Sequence, residues 1–199
     1  MSDLFVTSVE SAAERRPIRT RDASPAYGTV ARLFHWTIAL MVFIQIPAGI
    51  AMTTEQFPTI GGALFILHKG MGSVLLVLVT ARLIWRLTHP VTPLLPHLPR
   101  LQRRIAALTH GTLYVLLVVQ PVSGYIRTIG EGYPIELLDA LGIPPLIPYM
   151  PETALAMLVV HKFCAYTLTV LIGAHVAAAI HHALIERDGV MSRIWPPWG

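Results

Sequence analysis

Five of the nine histidines in this chain, His35, His68, His110, His161 and His175, fall inside long apolar stretches. A polar side chain at such depth is costly unless it faces a partner, so buried imidazoles of this kind point to paired or metal-bound groups. His161 and His175 are 14 residues apart, close to four helical turns, which puts both on one face at two levels about 21 Å apart. Neutral imidazole is a good iron ligand, and two imidazoles fill the axial positions that a porphyrin leaves open, favouring electron transfer over oxygen binding at the metal. Any one of these histidines alone reads more readily as a hydrogen-bonded core or interfacial residue. The two-level pattern is what carries the chemistry.

The elements that must position them follow from composition. The chain has 199 residues, 54% hydrophobic and 13% charged, with a mean hydropathy of +0.59, against about 25% charged residues in an ordinary soluble domain. A water-soluble protein is excluded and the bilayer is the expected solvent. Four apolar blocks read as spanning helices, at 33–52, 61–81, 105–126 and 153–185. The fourth is long enough to leave the hydrocarbon core and enter the interface. The expected fold is all-α, a transmembrane four-helix bundle running up-down-up-down. Residues 1–32 read as an N-terminal tail, 33–185 as the membrane domain and 186–199 as a C-terminal tail.

Twelve of the fifteen Lys and Arg lie in the N-terminal tail (Arg15, Arg16, Arg19, Arg21, Arg32), between Arg82 and Arg104, and at Arg187 and Arg193. Basic residues collect on the untranslocated side, so both termini are expected to be cytoplasmic. The segment from Arg127 to Glu152 then forms the main external loop, rich in proline and acidic. Trp195 and Trp198 read as interfacial anchors. The only cysteine, Cys164, sits in an apolar block, so no intramolecular disulfide can form. The covalent haem-attachment motif C-x-x-C-H is absent, and nothing suggests nucleic acid.

Alternating helix directions match depths. His35 lies near the cytoplasmic start of the first helix, level with His175, and His68 lies near the external start of the second, level with His161. Two opposed pairs result, His35 with His175 and His68 with His161, and the implied cofactors are two b-type haems, held non-covalently. Arg82 is 14 residues after His68, Gly49 is 14 after His35, and Gly124 is 14 after His110. Glycine lets a flat macrocycle approach the backbone, and an arginine at the cytoplasmic rim is suited to pair with a haem propionate. Ordinary helix packing for the glycines and a topology signal for Arg82 are the competing readings.

Arg32-Leu33-Phe34-His35-Trp36, Leu67-His68, Arg82-Leu83-Ile84-Trp85-Arg86-Leu87 with Pro90, His161, and Gly173-Ala174-His175 through His181-His182 resemble the bacterial cytochrome b561 family. The third helix, with His110, Tyr114, Pro121 and Gly124, is similar to the family's third helix, and the likeness spans roughly 30–187. The resemblance implies an inner-membrane four-helix cytochrome with two bis-histidine haems, carrying electrons between the outer face and the quinone pool, ubiquinone being the expected acceptor. It also implies the same ligand pairs as the depth argument. The N-terminal tail and the basic residues Lys69 and Lys162, each following an external-level histidine, depart from the expected pattern. Both lysines are candidates for drawing an anionic donor to the external haem, or for snorkelling or pairing with propionates.

His110 lies level with His35 and His175 without a haem to ligate, one turn from Tyr114. It is a candidate quinone contact, or a second bond to a propionate or a ligand histidine. His181 and His182 are expected at the interface; His89 and His97 are assigned no chemistry. Two functions stand out: an oxidoreductase moving electrons from superoxide to quinone, and a relay subunit between quinol and a periplasmic redox protein, for which the acidic loop would be a docking surface. A haem-free structural bundle fits less well because four histidines fall at two matched levels, and a metal transporter because the spans contain no Asp or Glu. The oligomeric state is left open, a homodimer included.

Overall fold

The computed structural model describes residues 26–53, 60–89 and 98–196. The basic tail through Arg21, the Pro90 and His97 positions and Trp198 lie outside them. Four long helices are apolar and long enough to cross a membrane: α1 (Thr29–Ala51), α2 (Gly61–Thr88), α3 (Arg100–Gly130) and α5 (Pro151–His181). A short helix, α4 (Glu136–Ala140), lies in the connection between α3 and α5. The described residues contain no β-strand.

The helices outrun the apolar blocks that announce them. α2 continues through Arg82 and Arg86, and α3 begins at Arg100 and takes in Arg103 and Arg104. Arginine is a good helix former, and the ends fall instead where proline intervenes: α2 stops two residues before Pro90, and Pro99 precedes α3. Pro151 opens α5, where its missing N–H is no loss. The last turn of α5 widens over His182–Glu186 and ends at Arg187, which takes a left-handed conformation.

Consecutive long helices are antiparallel, because residues late in one meet residues early in the next. Gly49 lies against His68, Gly124 against His161, and Arg82 over Tyr114. α1 packs on α2, α2 on α3 and α3 on α5. Ile38, Val42, Leu75 and Val79 form a core between α1 and α2, and Leu116, Cys164 and Leu168 form another between α3 and α5. Outward-facing positions carry exposed Val77, Leu108 and Val170, as expected of helices solvated by lipid tails. Both described ends of the chain lie at one end of the bundle, where the Tyr27 amide donates to the Arg193 carbonyl at 2.9 Å. α4 lies at the other end.

α3 and α5 approach closely beside α4. A Cβ on Gly130 would sit 3.1 Å from the Ala154 Cβ and 3.3 Å from the Met150 carbonyl oxygen. Gly130→Val is therefore expected to force the two helices apart and destabilise the bundle by about 1–3 kcal/mol. Thermal unfolding in detergent checks this, with an unchanged midpoint as the contrary result.

Candidate functional site

The buried histidines gather into two layers. At the α4 end, the rings of His68 and His161 have centres 6.2 Å apart, with planes at 83°. The His161 Nδ1–H donates to the Gln120 carbonyl at 2.9 Å, and the Ser123 hydroxyl, donating to the same carbonyl, lies 3.3 Å from that nitrogen. Gln45 Nε2 donates to the His68 carbonyl at 2.9 Å, and Gln120 Nε2 to His161 Nε2 at 3.1 Å. The glycines are needed here: a Cβ on Gly124 would lie 2.9 Å from His161 Cε1, and one on Gly49 would lie 3.0 Å from His68 Cε1. Their contact is with the imidazole edges, so they let the rings approach the neighbouring helix closely.

At the other end, His35 and His175 have ring centres 6.4 Å apart, and His110 is 5.3 Å from His175. The Arg82 guanidinium reaches His35 Nδ1 at 3.3 Å and lies over the Tyr114 ring. Trp36 stands edge-on to His35. It is pinned by donation from its Nε1 to the Ile194 carbonyl at 2.9 Å and by an edge contact with Trp195. Arg32 Nη1 donates to the Pro196 carbonyl at 3.0 Å. The C-terminal segment thus closes this layer, and Trp195 packs on Trp36 while half its surface stays exposed.

Both spacings suit a shared metal. With a metal–imidazole bond of about 2 Å and about 1.2 Å from nitrogen to ring centre, two axial histidines place their ring centres about 6.3 Å apart. On His161, the Nδ1–H bond to a backbone carbonyl leaves the Nε2 lone pair for a metal, the usual support for a ligating histidine. His68 Nδ1 is buried without a partner. Between α1 and α5, on the seam bridged by His35 and His175, runs an apolar groove lined by Phe43, Ile46, Pro47, Ile172, Gly173 and Val176. Among the described residues no group of three His, Cys, Asp or Glu is placed to hold a metal ion by itself. The arrangement offers pairs of imidazoles, which suits a metal whose equatorial positions a macrocycle fills.

The two lysines differ. Lys69 is buried, donates to the Pro134 carbonyl at 2.7 Å and to Glu136 at 2.9 Å, and lies over the Phe65 ring. It anchors the α4 segment to α2. Lys162 is exposed on the outer stripe of α5 with Val159, Phe163 and Tyr166, and has no ion pair among the described residues. Arg127 pairs with Glu131 at 3.0 Å, so two of the four loop acids are already neutralised. Sequence reasoning missed Gln45, Gln120 and Ser123. The signal for the glutamines was available: both α1 and α3 carry His, then Gln ten residues on, then Gly four further.

A lipid-embedded bundle with two layers of facing imidazoles is the architecture of a membrane cytochrome. The model of the prokaryotic cytochrome b561 family matches residues 26–197, and the chain belongs to that family. Membership makes it a bacterial membrane protein of electron transport and implies b-type haem. Among its relatives, cytochrome b561 homolog 2 of Escherichia coli K12 is 27% identical over 176 residues, covering 84% of this chain and 90% of the relative. Cytochrome b561 homolog 1 of the same organism is 26% identical over 166 residues, covering 81% and 92%. The probable superoxide oxidase CybB of Yersinia pestis is 24% identical over 170 residues, covering 81% and 91%.

Glu136 lies outside the spans, and the hydrogen bond from Lys69, helped by the Glu136 backbone amide, holds its carboxyl below the ordinary range. A carboxyl depressed on folding stabilises above its unfolded value of about 4.3 and loses that contribution as pH falls through the lower folded value. Hydrogen exchange of the 133–141 amides, corrected for intrinsic rate, is therefore expected to be slow at neutral pH and to accelerate only in acid. In Lys69→Met it should be fast throughout; a wild-type segment indifferent to acid is the contrary result.

Proposed function

We propose that this cytochrome holds two b-type haems, one between His68 and His161 and one between His35 and His175, and carries electrons from superoxide on the α4 side to quinone, with ubiquinone the expected acceptor. The observation that carries the reading is the pair of ring-centre spacings, 6.2 and 6.4 Å, in two layers of one bundle. Among the described residues eight arginines, Arg32, Arg82, Arg86, Arg100, Arg103, Arg104, Arg187 and Arg193, lie toward the end of the bundle that holds both described ends of the chain. This supports a cytoplasmic placement of both termini in the inner membrane, with 33–185 as the membrane domain between two tails. Held by these histidines, haem would supply one-electron redox chemistry.

The chain's own residues do the rest. Gln120 and Gly124 orient the His161 imidazole, the Gln120 carbonyl holding Nδ1–H and the Gln120 amide reaching Nε2, while Gly124 leaves room for the ring. Once His35 Nε2 serves a metal, its Nδ1 carries the hydrogen and no longer accepts from Arg82, a donor only. The guanidinium then turns to a carboxylate, as expected if it pairs with a propionate. His110 and Tyr114, beside His175 and Arg82, offer a quinone head group a hydrogen-bond donor and a proton source; a bond from His110 to a propionate is the competing role. Of the two lysines considered for drawing the anion, Lys69 has its ammonium bound to Glu136, so Lys162 is the cation of the two without an ion pair. Two superoxide anions yield two dioxygen molecules and two electrons, and quinone takes those electrons with two protons to become quinol.

A second reading is a relay subunit docking a periplasmic redox protein. It is favoured by the α4 segment, which exposes Leu141, Leu146 and Tyr149 beside Asp139 and Glu152, whose carboxylates have no ion pair among the described residues.

Two measurements test the proposal. His68→Ala and His161→Ala are each expected to lose one haem of two, and His35→Ala and His175→Ala the other, by pyridine haemochrome and potentiometric titration. A superoxide pulse on the oxidised protein should reduce the b-haem band quickly, and superoxide dismutase should abolish the reduction. Haems that respond to quinol and not to superoxide would favour the relay, and retention of both haems by the histidine variants would overturn the ligand assignment.

A further inference from the structure

α1 and α3 share more than a histidine. His35, Thr37, Gln45 and Gly49 recur at the same intervals as His110, Thr112, Gln120 and Gly124. α2 and α5 continue the correspondence, with His68 standing 14 residues before Arg82 and His161 standing 14 before His175. The contacts obey it too. Gly49 faces the His68 ring as Gly124 faces that of His161, and Arg82 touches His35 as His175 lies against His110. The bundle is therefore two quasi-equivalent helix pairs, α1 with α2 and α3 with α5.

Each pair displays a different half of one hydrogen-bond arrangement. In α3 with α5, the histidine Nδ1–H donates to the glutamine backbone carbonyl, while the glutamine amide is turned onto Nε2. In α1 with α2, the glutamine amide donates to the histidine backbone carbonyl, while His68 Nδ1 is buried without a partner. Iron on His161 Nε2 would displace the Gln120 amide, and a displaced amide inside a membrane needs another acceptor. The His161 carbonyl, counterpart of the one Gln45 already uses, supplies it. Likewise the Gln45 carbonyl is the counterpart acceptor for His68 Nδ1–H.

We infer that Gln45 and Gln120 are equivalent positioning residues for the α4-side haem: each clasps the histidine of the next helix, accepting from its Nδ1–H through the backbone and donating to its carbonyl through the side-chain amide. This rests on the reading of His68 and His161 as a ligand pair. The clasp fixes the tautomer, and an Nδ1–H held by a carbonyl makes the imidazole a stronger donor, which favours the oxidised iron and lowers the potential.

The test is potentiometric titration of both haems, with low-spin electron paramagnetic resonance, in the intact holoprotein carrying Gln45→Leu or Gln120→Leu. Leucine removes the side-chain half of the clasp and frees the backbone carbonyl to drift from the histidine Nδ1–H, so both variants should raise the midpoint potential of the same single haem and shift its signal, leaving the other haem unmoved. The haem concerned is the one that His68→Ala removes. A shift of the other haem, a shift in only one variant, or no shift overturns the inference, whereas retention of both haems by His68→Ala refutes the ligand reading instead. If a leucine variant does not accumulate, the alanine variant at the same position, which demands no space, is measured against the same outcomes.

Discussion

The burial of imidazoles in a hydrocarbon solvent governs the structure. Lipid tails offer no hydrogen bonds, so each polar group placed among the helices must find its partner within the protein. The apolar side chains contribute little to specifying the bundle, since most of them face outward toward a medium as apolar as they are. Register and helix pairing rest on the interior polar groups and on the small residues that admit them. Gly124 lies against the His161 ring at a distance real Cβ atoms essentially never show and Gly49 against the His68 ring at one that would make the ring shift, and Gln45 and Gln120 bond to the same two histidines. Moving either helix pair by one residue would turn these groups into the lipid.

What the sequence made legible follows from that constraint. Long uncharged blocks reveal spans because the solvent demands them, and histidines at a 14-residue interval reveal layers because helical geometry is fixed. The four spans, the antiparallel order and the facing of His35 with His175 and of His68 with His161 are all legible in the order of residues alone. Helix ends are not: arginine continues a helix as well as leucine does, so α2 and α3 extend past the last apolar residue to the nearest proline. Nor is the fate of Lys69. Its partner Glu136 lies 67 residues away in the chain, in a segment that reads as an undifferentiated acidic loop, and no local pattern announces a contact that depends on how that loop folds back. The glutamine positions are an intermediate case. Their spacing is present in the sequence, but glutamine is so commonly a surface residue that only its neighbours' geometry makes it conspicuous.

Charge is more evenly settled than the residue counts suggest. The connection between α3 and α5 is acidic by composition, yet Glu131 and Glu136 are each bound to a cation. The result is a segment held firmly against α2 through Lys69, with Leu137 packed on Gly70, whose exposed surface mixes Leu141, Leu146 and Tyr149 with the carboxylates of Asp139 and Glu152. At the opposite end the balance is reversed. Arg32 and Arg193 are both buried, Arg32 bonded to the Pro196 carbonyl in the short segment that follows α5, and Arg193, within that segment, lying over the Tyr27 ring.

That segment has a consequence for the order of assembly. Arg32 and Trp36 belong to the first helix made, and their carbonyl acceptors, Pro196 and Ile194, belong to the last residues described. His35, between them, faces a histidine on the final helix. A chain entering the membrane from its N-terminus thus carries α1 with the Arg32 and Trp36 donors unsatisfied until residues 194–196 have followed α5 and folded back over them. Enclosure of that layer is therefore a late event of assembly, coupled to the arrival of α5 rather than of α1.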